Sequence, residues 1–149
     1  MVADPHDLQR FVDAQDRGGT FEEAVAELRA GRKTSHWMWF VFPQLRGLGR
    51  TETATFYGIG SRAEAVAYLA HDVLGPRLRR CARLVPRSGA VTAEGLMGHT
   101  DALKLRSSMT LFAEVAESEG VDDQDFVAVL AKYYDGERDA ATLELLAAG

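Results

Sequence analysis

Helix-starting and helix-stopping residues punctuate this 149-residue chain from end to end, while strand signals are scarce. Each helix leaves its first N–H groups and last carbonyls unpaired, so a chain that repeatedly supplies capping side chains and stop glycines is committed to many short helices. Asp4, followed by Pro5 and Asp7, reads as an N-cap with proline at the first helical position; Leu8, Phe11, Val12 and Gln15 then share one face until Gly18-Gly19. Thr20 and Glu23 have capping-box spacing and introduce Ala24, Val25 and Leu28, with a stop at Gly31. These two segments predict a helical hairpin.

The punctuation continues downstream. A short helix is expected near Thr51 to Tyr57, and Ser61 with Glu64 forms a second capping box ahead of Ala65, Val66, Tyr68 and Leu69. Pro76 opens a basic helix with Leu78, Cys81, Leu84 and Val85 on its apolar face, and Pro86 closes it. A short element follows Thr92. Asp101 opens a longer helix with Leu105, Ser108, Met109 and Phe112 at core spacing; Asp122 and Asp125 open another, carrying Phe126, Val127, Leu130 and Tyr133 to a stop near Gly136. Asp139 caps a last short helix holding Leu143 and Leu146. No repeat or linker divides residues 1–149, so the expectation is one compact all-α domain with roughly seven to nine helices, many of them short.

Between the hairpin and these helices lies the most unusual stretch, His36-Trp37-Met38-Trp39-Phe40-Val41-Phe42-Pro43-Gln44. Trp37, Phe40 and Val41 have helical spacing, alternation would instead align Trp37, Trp39 and Val41, and the absence of a partner strand favours a short helix. One face of a buried helix cannot hold so many rings. Either the helix is buried on all sides, or one indole, Trp37 or Trp39, is partly accessible in a cleft and stacks on a flat ligand, with Trp37 taken for the ring contact.

Charge narrows the partners. The net charge of −5 gives no general attraction to nucleic acid or to an anionic membrane. Residues 76–110 nevertheless carry a net +5 and residues 111–149 a net −8. This pattern suits a basic helix packed beside an acidic C-terminal segment, or an anion site. A single cysteine, Cys81, precludes an intramolecular disulfide and suits a reducing compartment, and the N-terminus lacks a basic and apolar leader. A cytoplasmic address is expected. The longest apolar run, Trp37 to Phe42, falls far short of the roughly 20 residues of a membrane span.

Gly31-Arg32-Lys33-Thr34 resembles the tail of a phosphate-binding loop, but Ala26 stands where that loop needs its first glycine. His6, His36, His71, His99 and Cys81 show no short ligand spacing, so no metal or cofactor is expected. Near the aromatic run, His36 and Gln44 are polar, and Arg46-Gly47-Leu48-Gly49-Arg50 feeds a helix N-terminus suited to an anion. Lys104 and Ser108 belong to a second polar cluster, whose mid-helix hydroxyls either bond back to carbonyls or face the same pocket. The candidate site is therefore Trp37, His36, Gln44, Arg46, Gly47, Gly49, Arg50, Lys104 and Ser108, holding a small nucleotide-like or ADP-ribose-like anion. Asp101 and His36 are the nearby titratable groups for acid–base chemistry, and an interaction module presenting exposed aromatics is a further reading.

The string from His36 through Leu45, with Gly47-Leu48-Gly49, Tyr57-Gly58-Ile59, Leu74-Gly75 and Lys104-Leu105 ahead of Ser107-Ser108-Met109-Thr110-Leu111-Phe112, resembles the bacterial domain-of-unknown-function family 1810. The likeness runs from about Asp4 to Leu146 and implies a small multihelical protein without an established activity. A fainter likeness in the order of elements is to proteins that cleave N-glycosidic bonds of ADP-ribose derivatives. His36 and Trp37 stand where that pattern would put a catalytic glutamate.

Overall fold

The computed structural model describes residues 3–149, and among them helices are the only regular elements. Nine helices have five residues or more: α1 (Gln9–Asp16), α2 (Thr20–Ala30), α4 (Glu52–Tyr57), α5 (Arg62–Ala70), α6 (Leu74–Leu84), α7 (Ala93–Met97), α8 (His99–Glu119), α9 (Gln124–Tyr133) and α10 (Ala140–Ala148). The aromatic stretch adds a single turn, α3 (Met38–Val41), so the helical reading of that stretch holds. One hydrophobic core runs through the domain, from Phe11 in α1 to Leu146 in α10. No helix among the described residues is long and apolar enough to cross a membrane.

Helix α8 organises the rest. Residues 107–113 are buried without interruption, because α5, α7, α9 and α10 all pack against this helix. Two of its mid-helix hydroxyls turn back to the helix: Thr110 Oγ1 donates to the Arg106 carbonyl (2.8 Å), and the single proton of Ser107 Oγ is shared between the Leu103 carbonyl (3.3 Å) and Asp139 Oδ2 (3.2 Å). The basic island is resolved the same way. Arg83 of α6 makes a two-pronged contact with Asp125 (3.0 and 3.2 Å) and Arg79 donates to the Asp122 carbonyl (2.7 Å), fastening α6 to the acidic start of α9.

Local chemistry shifts several helix starts. α1 begins at Gln9, not after Asp4, because Asp7 adopts a left-handed conformation (φ 51°) and interposes a turn. Asp4 still caps across that turn, its carboxylate accepting from the N–H groups of Leu8 (2.8 Å) and Gln9 (2.9 Å), which holds its pKa below the ordinary value. Thr20 does not cap α2, since Gly18 and Gly19 (φ 59° and 72°) carry the turn and the Thr20 hydroxyl donates to the Arg17 carbonyl. Ser61 does cap α5, accepting from Glu64 N–H (3.1 Å). α6 starts two residues before Pro76 and α8 two before Asp101.

Two features position the segment after α3. Leu45 pairs with Ile59 in an isolated parallel bridge, made by the residues on either side of it: Ile59 N–H donates to the Gln44 carbonyl (2.9 Å) and Arg46 N–H to that of Ile59 (2.8 Å). Behind it, Arg10 and Glu64 form a buried ion pair (2.7 Å, each side chain 6% exposed). Arg10 also donates to the carbonyls of His6, Asp7, Phe56 and Gly58, so its buried charge has partners on every side.

Candidate ligand cleft

The aromatic run divides its rings between core and surface. Trp37 is completely buried; its indole N–H donates to Glu27 Oε1 (2.9 Å), and Lys33 Nζ lies 5.1 Å from its ring centroid. Glu27 Oε1 also accepts from the backbone of Thr34 (2.7 Å) and Ser35 (2.9 Å). Desolvation would raise the Glu27 pKa, but the hydrogen bonds from Ser35, Thr34 and Trp37 outweigh it and hold the carboxyl at about 2. The Trp37 expectation is thereby corrected: this indole braces the 32–37 loop and cannot stack on a ligand. Phe42 is also buried, and Trp39 and Phe40 are half-buried, which leaves no fully exposed ring in this run.

Trp39 reaches the surface, one wall of a cleft of about 350 Å³ between the α3 turn, the first two turns of α8 and the start of α10. Gln44, Lys104, Ser107 and Asp139 supply its principal polar groups, and Leu48 and Leu103 its apolar rim. Lys104 Nζ lies 3.7 Å from the Trp39 ring centroid and 3.5 Å from Asp101 Oδ1. Asp139 caps α10 through Oδ2, which accepts from Thr142 N–H (3.1 Å), Thr142 Oγ1 (2.6 Å) and Ser107 Oγ (3.2 Å). Gln44 is nine-tenths buried as a residue, and its side-chain amide, which still opens to solvent, has no hydrogen-bond partner among the described residues. Such an amide ordinarily finds partners, so its wall of the cleft is left for water or a ligand to satisfy.

The cleft brings together Gln44, Gly49 and Lys104 of the sequence-derived set and leaves the others out. Gly49 is there for space rather than anion binding, since a β-carbon would approach Ala54 Cβ to 2.7 Å. Arg46 folds back onto the carbonyls of Thr55 (2.9 Å) and Gly58 (3.1 Å), bordering a separate depression with His6 and Arg10. Arg50 and His36 are exposed and outside the cleft, and Gly47 (φ 107°) serves its turn. The six-residue helix α4 provides no anion cradle, because Thr51 Oγ1 accepts from Ala54 N–H. Ser108 is fully buried and its hydroxyl has no partner among the described residues; Ser107, three residues after Lys104, takes the place in the cleft. Asp101 is taken up by Lys33 (2.9 Å) and Lys104, and His36 makes no hydrogen bond with it.

Sequence reasoning leaves Trp37 and Trp39 as alternatives and takes Trp37 for the ring contact, takes Ser108 rather than its neighbour Ser107, and misses Asp139. The i, i+3 and i, i+4 relations of Ser107 to Lys104 and Leu103 were a usable signal, whereas Asp139 reaches the cleft only through the packing of α10 on α8. A second, apolar recess of about 180 Å³ lies among Val66, Leu69, Val115 and Val121; its Arg79 is already bonded to the Asp122 carbonyl. Its other charged group, the exposed Glu119 carboxylate, stands alone rather than converging with others as the polar groups of a ligand site do.

Fold and cleft define a small all-α domain with an aromatic and polar cleft beside its central helix. Residues 5–146 match the family described as a protein of unknown function (DUF1810), and the chain belongs to that family. It is similar over 97% of its length to 99% of the conserved hypothetical protein Rv1873 from Mycobacterium tuberculosis, solved as a crystal structure at 1.38 Å, with 56% sequence identity and a TM-score of 0.90. No curated protein matches the chain.

Proposed function

We propose that the protein binds a small nucleotide-like ligand, one flat nitrogenous ring joined to an anionic group, in the cleft between Trp39 and Lys104. The observation that carries this reading is Gln44, a nine-tenths buried residue whose side-chain amide has no partner among the described residues and opens to solvent, beside a half-buried indole. A side-chain amide offers a donor and an acceptor in one plane, which matches the ring edge of a purine or a carboxamide. The indole contributes apolar contact to the ring face.

Lys104 supplies the charge. Its ammonium rests over the indole and faces Asp101 across a partly exposed 3.5 Å pair, interactions worth about 1 kcal/mol each or less in such settings. A ring that takes the indole face releases this lysine toward the anionic group, where a charge-assisted hydrogen bond compensates for the displaced ammonium–indole interaction. Of the three cations expected to carry the charge, Arg46, Arg50 and Lys104, only Lys104 lines the cleft, with Arg106 at its border.

Titration of adenosine monophosphate, adenosine diphosphate and ADP-ribose, followed by tryptophan fluorescence and thermal shift, tests the reading. Binding should quench the parent protein and spare a Trp39→Phe variant, whose remaining Trp37 is buried. A ligand at about one hundred times its Kd stabilises the fold by about 2.7 kcal/mol. Absence of a shift with all three, or equal affinity in parent and a Gln44→Leu, Lys104→Ala double variant, refutes the proposal.

A further inference from the structure

We infer that the cleft selects a ribosylated ligand, with Asp139 reading the ribose hydroxyls; the inference rests on the nucleotide-like reading of the same cleft. Asp139 uses its two carboxylate oxygens differently. Oδ2 is committed to Thr142 and Ser107, as the cap of α10 requires. Oδ1 has no partner among the described residues, and it is not sealed from solvent. An anionic oxygen left open in a cleft accepts from hydroxyl donors and repels phosphate, so it has to face the uncharged, hydroxyl-bearing part of a ligand.

The geometry along α8 orders those parts. Lys104 and Ser107 are three residues apart on one face, about 4.5 Å along the helix axis. Trp39 stands over Lys104, and Asp139 is hydrogen-bonded to Ser107. A ring held at Trp39 and Gln44 therefore has its sugar-sized neighbour one helical turn away, at the open Asp139 oxygen. Adjacent hydroxyls on a five-membered sugar present two donors on one edge, and a carboxylate that bonds a ribose hydroxyl is an established way to recognise nucleotides. The α10 cap fixes this oxygen before the ligand arrives, since Oδ2 is anchored by two bonds from Thr142 and by a Ser107 hydroxyl whose proton is shared with the Leu103 carbonyl.

The test compares adenosine monophosphate with its 2′-deoxy and 3′-deoxy counterparts by calorimetry, on the parent protein and on Asp139→Asn, whose amide oxygen can still cap α10. The expected result is at least tenfold weaker binding of one or both deoxy compounds to the parent. Asp139→Asn should lose most of that difference while keeping its affinity for the deoxy compounds and its helical circular dichroism. Equal binding of all three to the parent overturns the inference and leaves the nucleotide reading standing. Failure of all three to bind the parent overturns both. If Asp139→Asn does not fold, the discrimination measured on the parent decides, with Ser107→Ala as the second variant, expected to reduce that discrimination by loosening Asp139. A discrimination unchanged in a folded Asp139→Asn also overturns the inference.

Discussion

Acidification should loosen the aromatic segment through one carboxyl group. Glu27 accepts from Trp37, Thr34 and Ser35, and these bonds take its pKa from an ordinary 4.5 to about 2 against the opposing effect of burial. A carboxyl whose pKa is lower in the folded state contributes stability that is fully present above about pH 4.5 and is lost as the pH falls through about 2. The shift corresponds to at most about 3 kcal/mol; partial exposure of Glu27 to solvent reduces this to about 1–2 kcal/mol. Roughly 1 kcal/mol of it should be gone by about pH 3. Other carboxyls also titrate in this range, so urea unfolding at about pH 6 and about pH 3 has to compare the parent with Glu27→Gln. With a denaturant slope of about 2 kcal/mol per molar, the parent midpoint should fall about 0.5 M further than that of the variant. Equal losses in the two proteins would show that the Glu27 bonds do not hold the carboxyl ionised, and the account of the 32–37 loop would be wrong.

Ser108→Ala should raise stability by about 1 kcal/mol in thermal or urea unfolding, because it removes a fully buried hydroxyl that has no partner among the described residues. A drop in stability would instead point to an internal water bonded there. Gly75→Ala should destabilise by about 2 kcal/mol or more, since its β-carbon would meet the Leu69 carbonyl oxygen at 2.3 Å where α5 and α6 cross; an unchanged melting temperature would contradict that packing. Trp37→Ala should cost about 3–5 kcal/mol as a core deletion, whereas Trp39→Ala should cost far less and mainly affect binding. Similar destabilisation at both positions would erase the distinction between a core and a cleft indole.

The helical class and most helix positions follow from the sequence because capping and apolar periodicity act over a few residues. Ser61, Thr92 and Asp139 cap as their spacing suggests, Gly31 ends its helix in the left-handed conformation, and the family likeness is carried by contiguous strings. Local rules fail where two solutions compete over the same atoms, as at Asp4, whose carboxylate reaches across a turn, and at Thr20, displaced by two glycines. The cleft is less legible. Sequence places Gln44, Gly49 and Lys104 in it but cannot choose between Trp37 and Trp39, because both belong to the same aromatic run. The choice is made by Glu27, ten residues upstream: it satisfies the Trp37 N–H inside the core and leaves Trp39 to Lys104 on α8. Asp139 likewise enters the cleft only because α10 packs on α8 and Ser107 meets its carboxylate. Short-range hydrogen bonding and periodicity are properties of a segment and can be read from it; which indole is buried depends on contacts between segments, which only the folded chain brings together.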